Sequence, residues 1–324
     1  MTKPKPQTQY VKSDCNAVAG MRRFSHEAMA TTYEVIVVHE DERYARQAAA
    51  AAFDEVDRLE AELSRFVENS DVSQINNLTI GESSVVGLAA FECLKISRRI
   101  YDETKGAFDI TIGSLLKCWR SDQGEPRTPT EEQLDLVRKR TGSDLLQLNE
   151  DEHTVEVLAE GVAVDLGGIG KGYAVEKMAK LLREWSIDVA LIHGGYSSVL
   201  ALDGPADMKG WPVTMSHPGR DKRTLAKLHF QGRALSGSGV QKGRHIIDPR
   251  TGRPAKGRRA AWSSTPDAAT GDALSTAFMV MTSDEIEEFC RRHPDVPAMV
   301  ILDAEEGQKE KILRFGRWDE LVSG

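Results

Sequence analysis

Near residue 144 the hydrophobic period of the chain changes, and that switch limits the architectures open to it. Before it the pattern is largely helical. Ala48, Ala52, Val56, Leu59 and Leu63 recur at spacings of three and four, so a helix over about 42–63 turns one apolar face to a core. A second helix is predicted over about 88–105, ended by Gly106, and Thr130-x-x-Gln133 opens a third in capping-box style. One strand precedes them, the β-branched run from Thr31 to Val38. After the switch short strands dominate, at 144–148, 154–157, 162–165, 189–193, 198–202, 211–215, 225–230 and 298–302. Helices over about 172–185, 270–281 and 284–292 interrupt them. Strands in runs with segregated helices imply an α+β fold rather than a doubly wound sheet. Residues 1–22, polar and with prolines at 4 and 6, read as a disordered or loosely attached tail, leaving 23–324 as a single large domain.

A chain of 324 residues, 40% hydrophobic and 28% charged, can bury a core without staples. Its formal net charge of -8 argues against a nucleic-acid partner, although the basic cluster from Arg250 to Arg259 leaves room for a small anionic ligand. The four cysteines, Cys15, Cys93, Cys118 and Cys290, form no CxxC pair, so neither a zinc site nor a thioredoxin-like motif is expected. Scattered reduced thiols suit the cytoplasm. No segment reaches the roughly 20 apolar residues of a membrane span. The amino-terminal stretch lacks a signal-peptide apolar region, and no lipidation run precedes Cys15. The expected location is therefore cytoplasmic.

Four segments carry chemistry. The first runs from Val164 to Val175, through Asp165, Gly167, Gly168, Gly170 and Lys171, in the order strand, glycine turn, helix. Such a turn lets backbone approach a phosphate at a helix N-terminus, and Lys171 adds a charge there. The pattern is neither a Walker loop nor a GxGxxG fingerprint, and plain structural punctuation is the alternative. The second, His245 to Pro254, is a short apolar strand running into an Asp-Pro, Thr-Gly turn, with His245 as either a structural imidazole or a base. The preceding Ser236-Gly237-Ser238-Gly239 has the texture of a flexible loop. In the third, Asp272 and Thr276 lie four apart on a helix and aim their oxygens at one point, which suits Mg²⁺; a helix cap is the alternative for Asp272. The fourth, Gly106 to Gly113, joins a helix end to an apolar strand, with a buried turn as the simpler account. Met29 and Phe66, taken by residue type, belong to the core.

Taken in order, these segments resemble the ApbE-like family of FAD:protein FMN transferases from about Met29 to Met281. The matching stretches are Met29 to Tyr33, Leu63 to Phe66, Ser73 to Asn76, Gly106 to Gly113, Asp165 to Ala174, Gly194-Gly195, His245 to Pro254 and Asp272 to Thr276. The resemblance implies a T-fold-like α+β architecture with FAD in a cleft near a metal. By position, Met29, Phe66, Ala107, Phe108, Asp109, Asp165 and Lys171 would contact FAD. Asp272 and Thr276, with the carbonyl of Gly168, would hold Mg²⁺, and His245 would be the catalytic base near the pyrophosphate. The implied reaction moves the FMN half of FAD onto a threonine or serine of an acceptor flavoprotein and releases AMP.

The chain departs from the family pattern in several places. Tyr196 follows Gly194-Gly195 where an acidic residue is common, the Thr-Ser-Gly of the family is replaced by Ser236 to Gly239, and residues 241–244 are shorter and more basic than usual. Ala30 and Gly170 stand for the commoner glycine and alanine. Because the acceptor-side loops differ, an Mg²⁺-dependent FAD pyrophosphatase and a non-catalytic FAD-binding protein remain open beside the transferase.

Overall fold

The computed structural model describes residues 11–13, 18–121, 125–206, 208–219, 223–240, 246–303 and 310–322. It begins with β1 (Val11–Ser13), the hairpin of β2 (Met21–Ala28) and β3 (Thr31–Val38), and α1 (Glu42–Leu63). The next elements are α2 (Asp71–Asn76), β4 (Ser83–Val85), α3 (Leu88–Glu103), α4 (Gly113–Cys118) and α5 (Glu131–Arg138). Then come β5 (Leu146–Asn149), β6 (Thr154–Val157), α6 (Gly170–Glu184), β7 (Ala190–Gly194) and β8 (Ser198–Ala201). They are followed by β9 (Trp211–Ser216), β10 (Thr224–Phe230), β11 (Arg233–Gly239), β12 (Ile247–Asp248), β13 (Arg253–Pro254) and β14 (Arg258–Thr265). The chain closes with α7 (Ala268–Ala277), α8 (Ser283–Arg292), β15 (Ala298–Leu302), β16 (Ile312–Phe315) and α9 (Trp318–Val322).

An eight-stranded antiparallel sheet, ordered β16-β15-β14-β11-β8-β7-β3-β2, forms the middle layer. Alternate residues along each strand feed two separate cores. Val35, Val37, Ile192, Leu200, Ala234 and Val300 face the helices, packing with Ala48, Val56, Met178 and Leu274 among others. Ile36, Leu191, Val199, Leu235, Trp262 and Ile301 face the small β1-β9-β10 sheet, where Trp211, Met215, Phe230 and Trp318 meet them. Cover on both faces explains why β3 reads as an unbroken Val-Ile-Val run instead of an alternating one. A β4-β6-β5 sheet and the β12-β13 hairpin complete the fold.

The α+β reading holds, and α1 has the predicted boundaries. The Thr130 capping box is present, with Thr130 and Gln133 side chains each bonding the other's backbone N–H. Several expectations fail. The stretch read as a tail contains β1, paired with β9, and the start of β2. Residues 162–165 form no strand, only an isolated bridge from Ile112 to Ala163 with neighbouring main-chain bonds to Ile110 and Gly113. The side chain of Asn76 satisfies Val164 there, accepting from its N–H at 2.6 Å and donating to its carbonyl at 3.0 Å. The residues after Gly106 make a buried turn leading to α4, not a strand. Ser236 to Gly239 lie within β11, in the interior of the large sheet, instead of a loop.

Candidate functional site

The site is built where α6 and α7 cross beneath the central strands of the large sheet. Asp272 lies inside α7, only 2% exposed. The N-cap of that helix is Asp267, whose side chain accepts from Thr270 N–H, so the capping explanation for Asp272 is removed. The helix begins two residues before the expected Thr270. The Asp272 carboxylate is held on both oxygens. Ser198 Oγ donates to Oδ1 at 3.3 Å, Gly172 N–H donates to Oδ2 at 3.0 Å, and Lys171 Nζ stands 3.6 Å from Oδ2. Both Gly172 and Lys171 belong to the first turn of α6, which tethers its N-terminus to α7. A Cβ on Gly172 would fall 2.2 Å from the Ala268 carbonyl, so the two helices can cross this closely only at glycine.

Thr276 lies one turn beyond Asp272, and its hydroxyl shares a hydrogen-bond cluster with Ser238 Oγ (3.1 Å), which also meets Ser275 Oγ at 2.8 Å. Gly168 closes the same space: a Cβ there would be 3.5 Å from Thr276 Oγ1 and 3.1 Å from the Phe108 ring. Gly168, Lys171, Asp272, Thr276 and Phe108 therefore converge. A carboxylate, a hydroxyl and nearby backbone carbonyls form an all-oxygen donor set, the chemistry a hard cation such as Mg²⁺ accepts. The ammonium of Lys171 already stands on that set as a cation of the protein's own, which shows that the carboxylate is placed to receive positive charge. The α6 N-terminus is less open than the sequence suggested. Gly170 N–H closes the turn onto the Leu166 carbonyl at 2.8 Å, and Gly172 N–H is used by Asp272.

A second group surrounds Asp165. Its Oδ2 is 2.7 Å from Arg65 Nε, its Oδ1 accepts from Gly167 N–H at 2.8 Å, and its own N–H donates to the Ile110 carbonyl at 2.7 Å. Arg65 in turn lies against the Phe66 ring, 4.3 Å from its centroid. Phe66 is 83% exposed, so its reading as a core residue is wrong. An aromatic ring left in water beside a charged turn is a surface that a planar ligand can cover. Ala107 and Phe108 are buried in the turn whose Ile110 carbonyl holds Asp165.

Asp109 is buried, with Oδ1 accepting from Thr111 N–H, Thr111 Oγ1 and Ser143 Oγ, each at 2.8 Å. Burial pushes its pKa up, against the pull of those three bonds. It borders a cleft of about 500 Å³ that Tyr101, Lys105, Arg138 and Arg250 also line.

Met29 is half-buried and sits with Ala30 in the two-residue turn joining β2 and β3. Both have positive φ, 48° and 56°, as a type I′ hairpin turn requires. The turn is pinned by Glu60, which accepts from Met29 N–H at 2.8 Å, and Tyr33 Oη donates to Met29 Sδ at 3.1 Å. Burial, with Asp272 and then Glu60 as neighbouring charges, holds the Tyr33 phenol protonated far above its ordinary range. His245 lies outside the described residues. Arg65, Ser198 and Glu60 were given no role from the sequence, and Ser238 was read only as part of a flexible loop. Arg65 stood inside a matching stretch, but the other three meet their partners only through the fold.

The ApbE family model matches residues 29–300. The chain belongs to that family. A curated relative from Vibrio cholerae serotype O1, the FAD:protein FMN transferase, is 27% identical over 318 residues, covering 91% of this chain and 92% of the relative. The enzyme of the same name from Escherichia coli strain K12 is 27% identical over 246 residues, with 71% of this chain and 70% of that protein covered. Among solved structures, the ApbE protein of Thermotoga maritima superposes with a TM-score of 0.81 at 25% identity, covering 93% of this chain and 99% of that one. The apo flavinyl transferase ApbE of Pseudomonas stutzeri gives 0.83 at 24% identity, with coverage of 94% and 97%, and supports the fold. Among the described residues no helix is long and apolar enough to cross a membrane.

Proposed function

We propose that this chain is an Mg²⁺-dependent flavin transferase that moves the FMN half of FAD onto a threonine or serine hydroxyl of an acceptor flavoprotein. The observation that carries this reading is the convergence of Lys171, Gly168, Asp272 and Thr276 at the positive end of α6, in a chain whose relatives bear the name FAD:protein FMN transferase. In the reaction the acceptor oxygen forms a bond to the FMN-side phosphorus, the bond from that phosphorus to the bridging oxygen breaks, and AMP leaves with the bridging oxygen. When bound, Mg²⁺ offsets negative charge on the phosphate oxygens and would be held by Asp272, Thr276 and the Gly168 carbonyl.

The chain's own groups supply positioning, on which phosphoryl transfer chiefly depends. The α6 macrodipole and the Lys171 ammonium favour an anion at this helix end. The exposed Phe66 ring, backed by Arg65, offers a stacking face, and Asp165, Ala107, Phe108, Asp109 and Met29 are proposed as further contacts to FAD. His245 is proposed to take the proton of the attacking hydroxyl. A cytoplasmic setting belongs to the same proposal and is supported by Cys93, Cys118 and Cys290, which are buried thiols free of disulfides.

Chromatography of FAD incubated with the protein and Mg²⁺, with and without a flavin-acceptor domain, tests the reading. AMP release that requires the acceptor and stops with EDTA is the expected result. Stoichiometric free FMN and AMP without an acceptor would replace transferase with pyrophosphatase, and intact FAD under both conditions would leave only binding.

A further inference from the structure

Lys171 lies against the carboxylate assigned above to the metal. Its ammonium lies 3.6 Å from Asp272 Oδ2 and 3.3 Å from the Gly167 carbonyl, so it stands on that carboxylate, next to the turn whose Gly168 carbonyl would be a further ligand. The Lys171 side chain is 25% exposed, whereas that of Asp272 is 3% exposed. The carboxylate is fixed by Ser198 and Gly172, while the ammonium is held, among the described residues, by a single hydrogen bond, to the Gly167 carbonyl, on a partly exposed side chain. We propose that Lys171 is a resident counter-cation that a divalent metal must displace, and that the displaced ammonium then serves the anionic substrate.

The physical basis is simple. A lone buried carboxylate is costly to keep charged, and an ammonium within about 4 Å offsets that cost. Mg²⁺ binds oxygen at roughly 2.0–2.1 Å, which brings its two charges against the ammonium if both stay on one carboxylate edge. The free site is then close to neutral and holds metal weakly. An incoming pyrophosphate attracts Lys171 off Asp272 and presents oxygens to the metal, so metal and substrate bind better together than apart. By linkage the enhancement is mutual. Lys171 thus acts as a positioning residue that couples the two ligands.

This inference rests on the metal assignment made above, and its test separates the two. Mn²⁺ alone is titrated into the full-length protein by calorimetry, then again with FAD present. Wild type should bind Mn²⁺ weakly without FAD and substantially more tightly with it. Lys171→Met should tighten Mn²⁺ binding without FAD by at least about tenfold, because removing a positive charge about 4 Å away relieves strong repulsion. Lys171→Arg, which keeps the charge, should stay weak, and Lys171→Met combined with Asp272→Ala should lose the gain. Circular dichroism confirms folding of each variant, and the FAD-dependent tightening in wild type needs no variant at all. Equal Mn²⁺ affinity in wild type and Lys171→Met, with Asp272-dependent binding in the presence of FAD, overturns the counter-cation and leaves the metal site standing. Mn²⁺ binding that is indifferent to Asp272 under every condition overturns both.

Discussion

Two glycines in the first turn of α6 should respond to alanine in opposite directions, and the reason is the crossing with α7. A Cβ at Gly172 would stand 2.2 Å from the Ala268 carbonyl oxygen and 2.7 Å from Asp272 Cβ, so the helices must part by about 1 Å. Overpacking of this kind costs about 1–3 kcal/mol or more, and here the obstructing atoms belong to backbone and a buried stem, which cannot swing aside. Helix propensity returns at most about 1 kcal/mol. Gly172→Ala should therefore be destabilised by about 2 kcal/mol, lowering Tm by roughly 3 °C in a chain of this length. It should also disturb Asp272, whose Oδ2 accepts the Gly172 N–H. At Gly170 a Cβ would meet nothing within 4 Å, so Gly170→Ala should be neutral or stabilising by up to about 1 kcal/mol. Thermal and urea melts of both variants check this. A Gly172→Ala protein as stable as wild type, or equal losses at both positions, would refute the close-crossing argument.

Three further expectations concern stability and the cleft. His193 is buried and its pKa is lowered to about 4, by burial first and Arg23 second. Its neutral form thus supports folding fully above the ordinary value near 6.5, and that support, about 3 kcal/mol, is lost as pH falls from 6.5 through 4. His193→Gln should flatten the acid limb of stability over that window in urea melts at a series of pH values. Ala30, held at φ 56°, should gain about 0.5–1 kcal/mol on replacement by glycine, seen as a higher Tm with Met29 undisturbed. Phe66→Ala should leave stability within about 0.5 kcal/mol of wild type, yet weaken FAD binding about fivefold or more in a fluorescence titration.

Where periodicity and chemistry agreed, the sequence was a good guide. The 3.6-residue stripe of α1 and the β-branched run of β3 gave those elements because burial and local preference point the same way. The glycine turn before α6 was legible because closely spaced glycines mark a tight turn into a helix. β11 was not, for it carries Ser236, Gly237 and Ser238 where strands usually carry bulk. Small residues are needed there: a Cβ on Gly237 would be 2.6 Å from Trp262 Nε1, and Ser238 must reach the Thr276 hydroxyl. β14, with two arginines at its start and serines at its end, was missed for a similar reason. Phe66 was misread because residue type alone places phenylalanine inside. Residues 162–165 look like a strand from their apolar pattern, but they meet only the turn at 110–113 through main-chain bonds, while Val164 is held by the Asn76 amide, which no local pattern reveals.

The central claim, that the Asp272 site drives transfer of FMN to protein, is tested most directly by the intact mass of an acceptor flavoprotein after incubation with this protein, FAD and Mg²⁺. The account predicts a gain of one FMN unit per acceptor, absent when Asp272→Ala replaces the wild-type protein and absent when the target threonine or serine is removed. An acceptor that keeps its mass while FAD is consumed, or that gains FMN equally well from the Asp272→Ala protein, would contradict it.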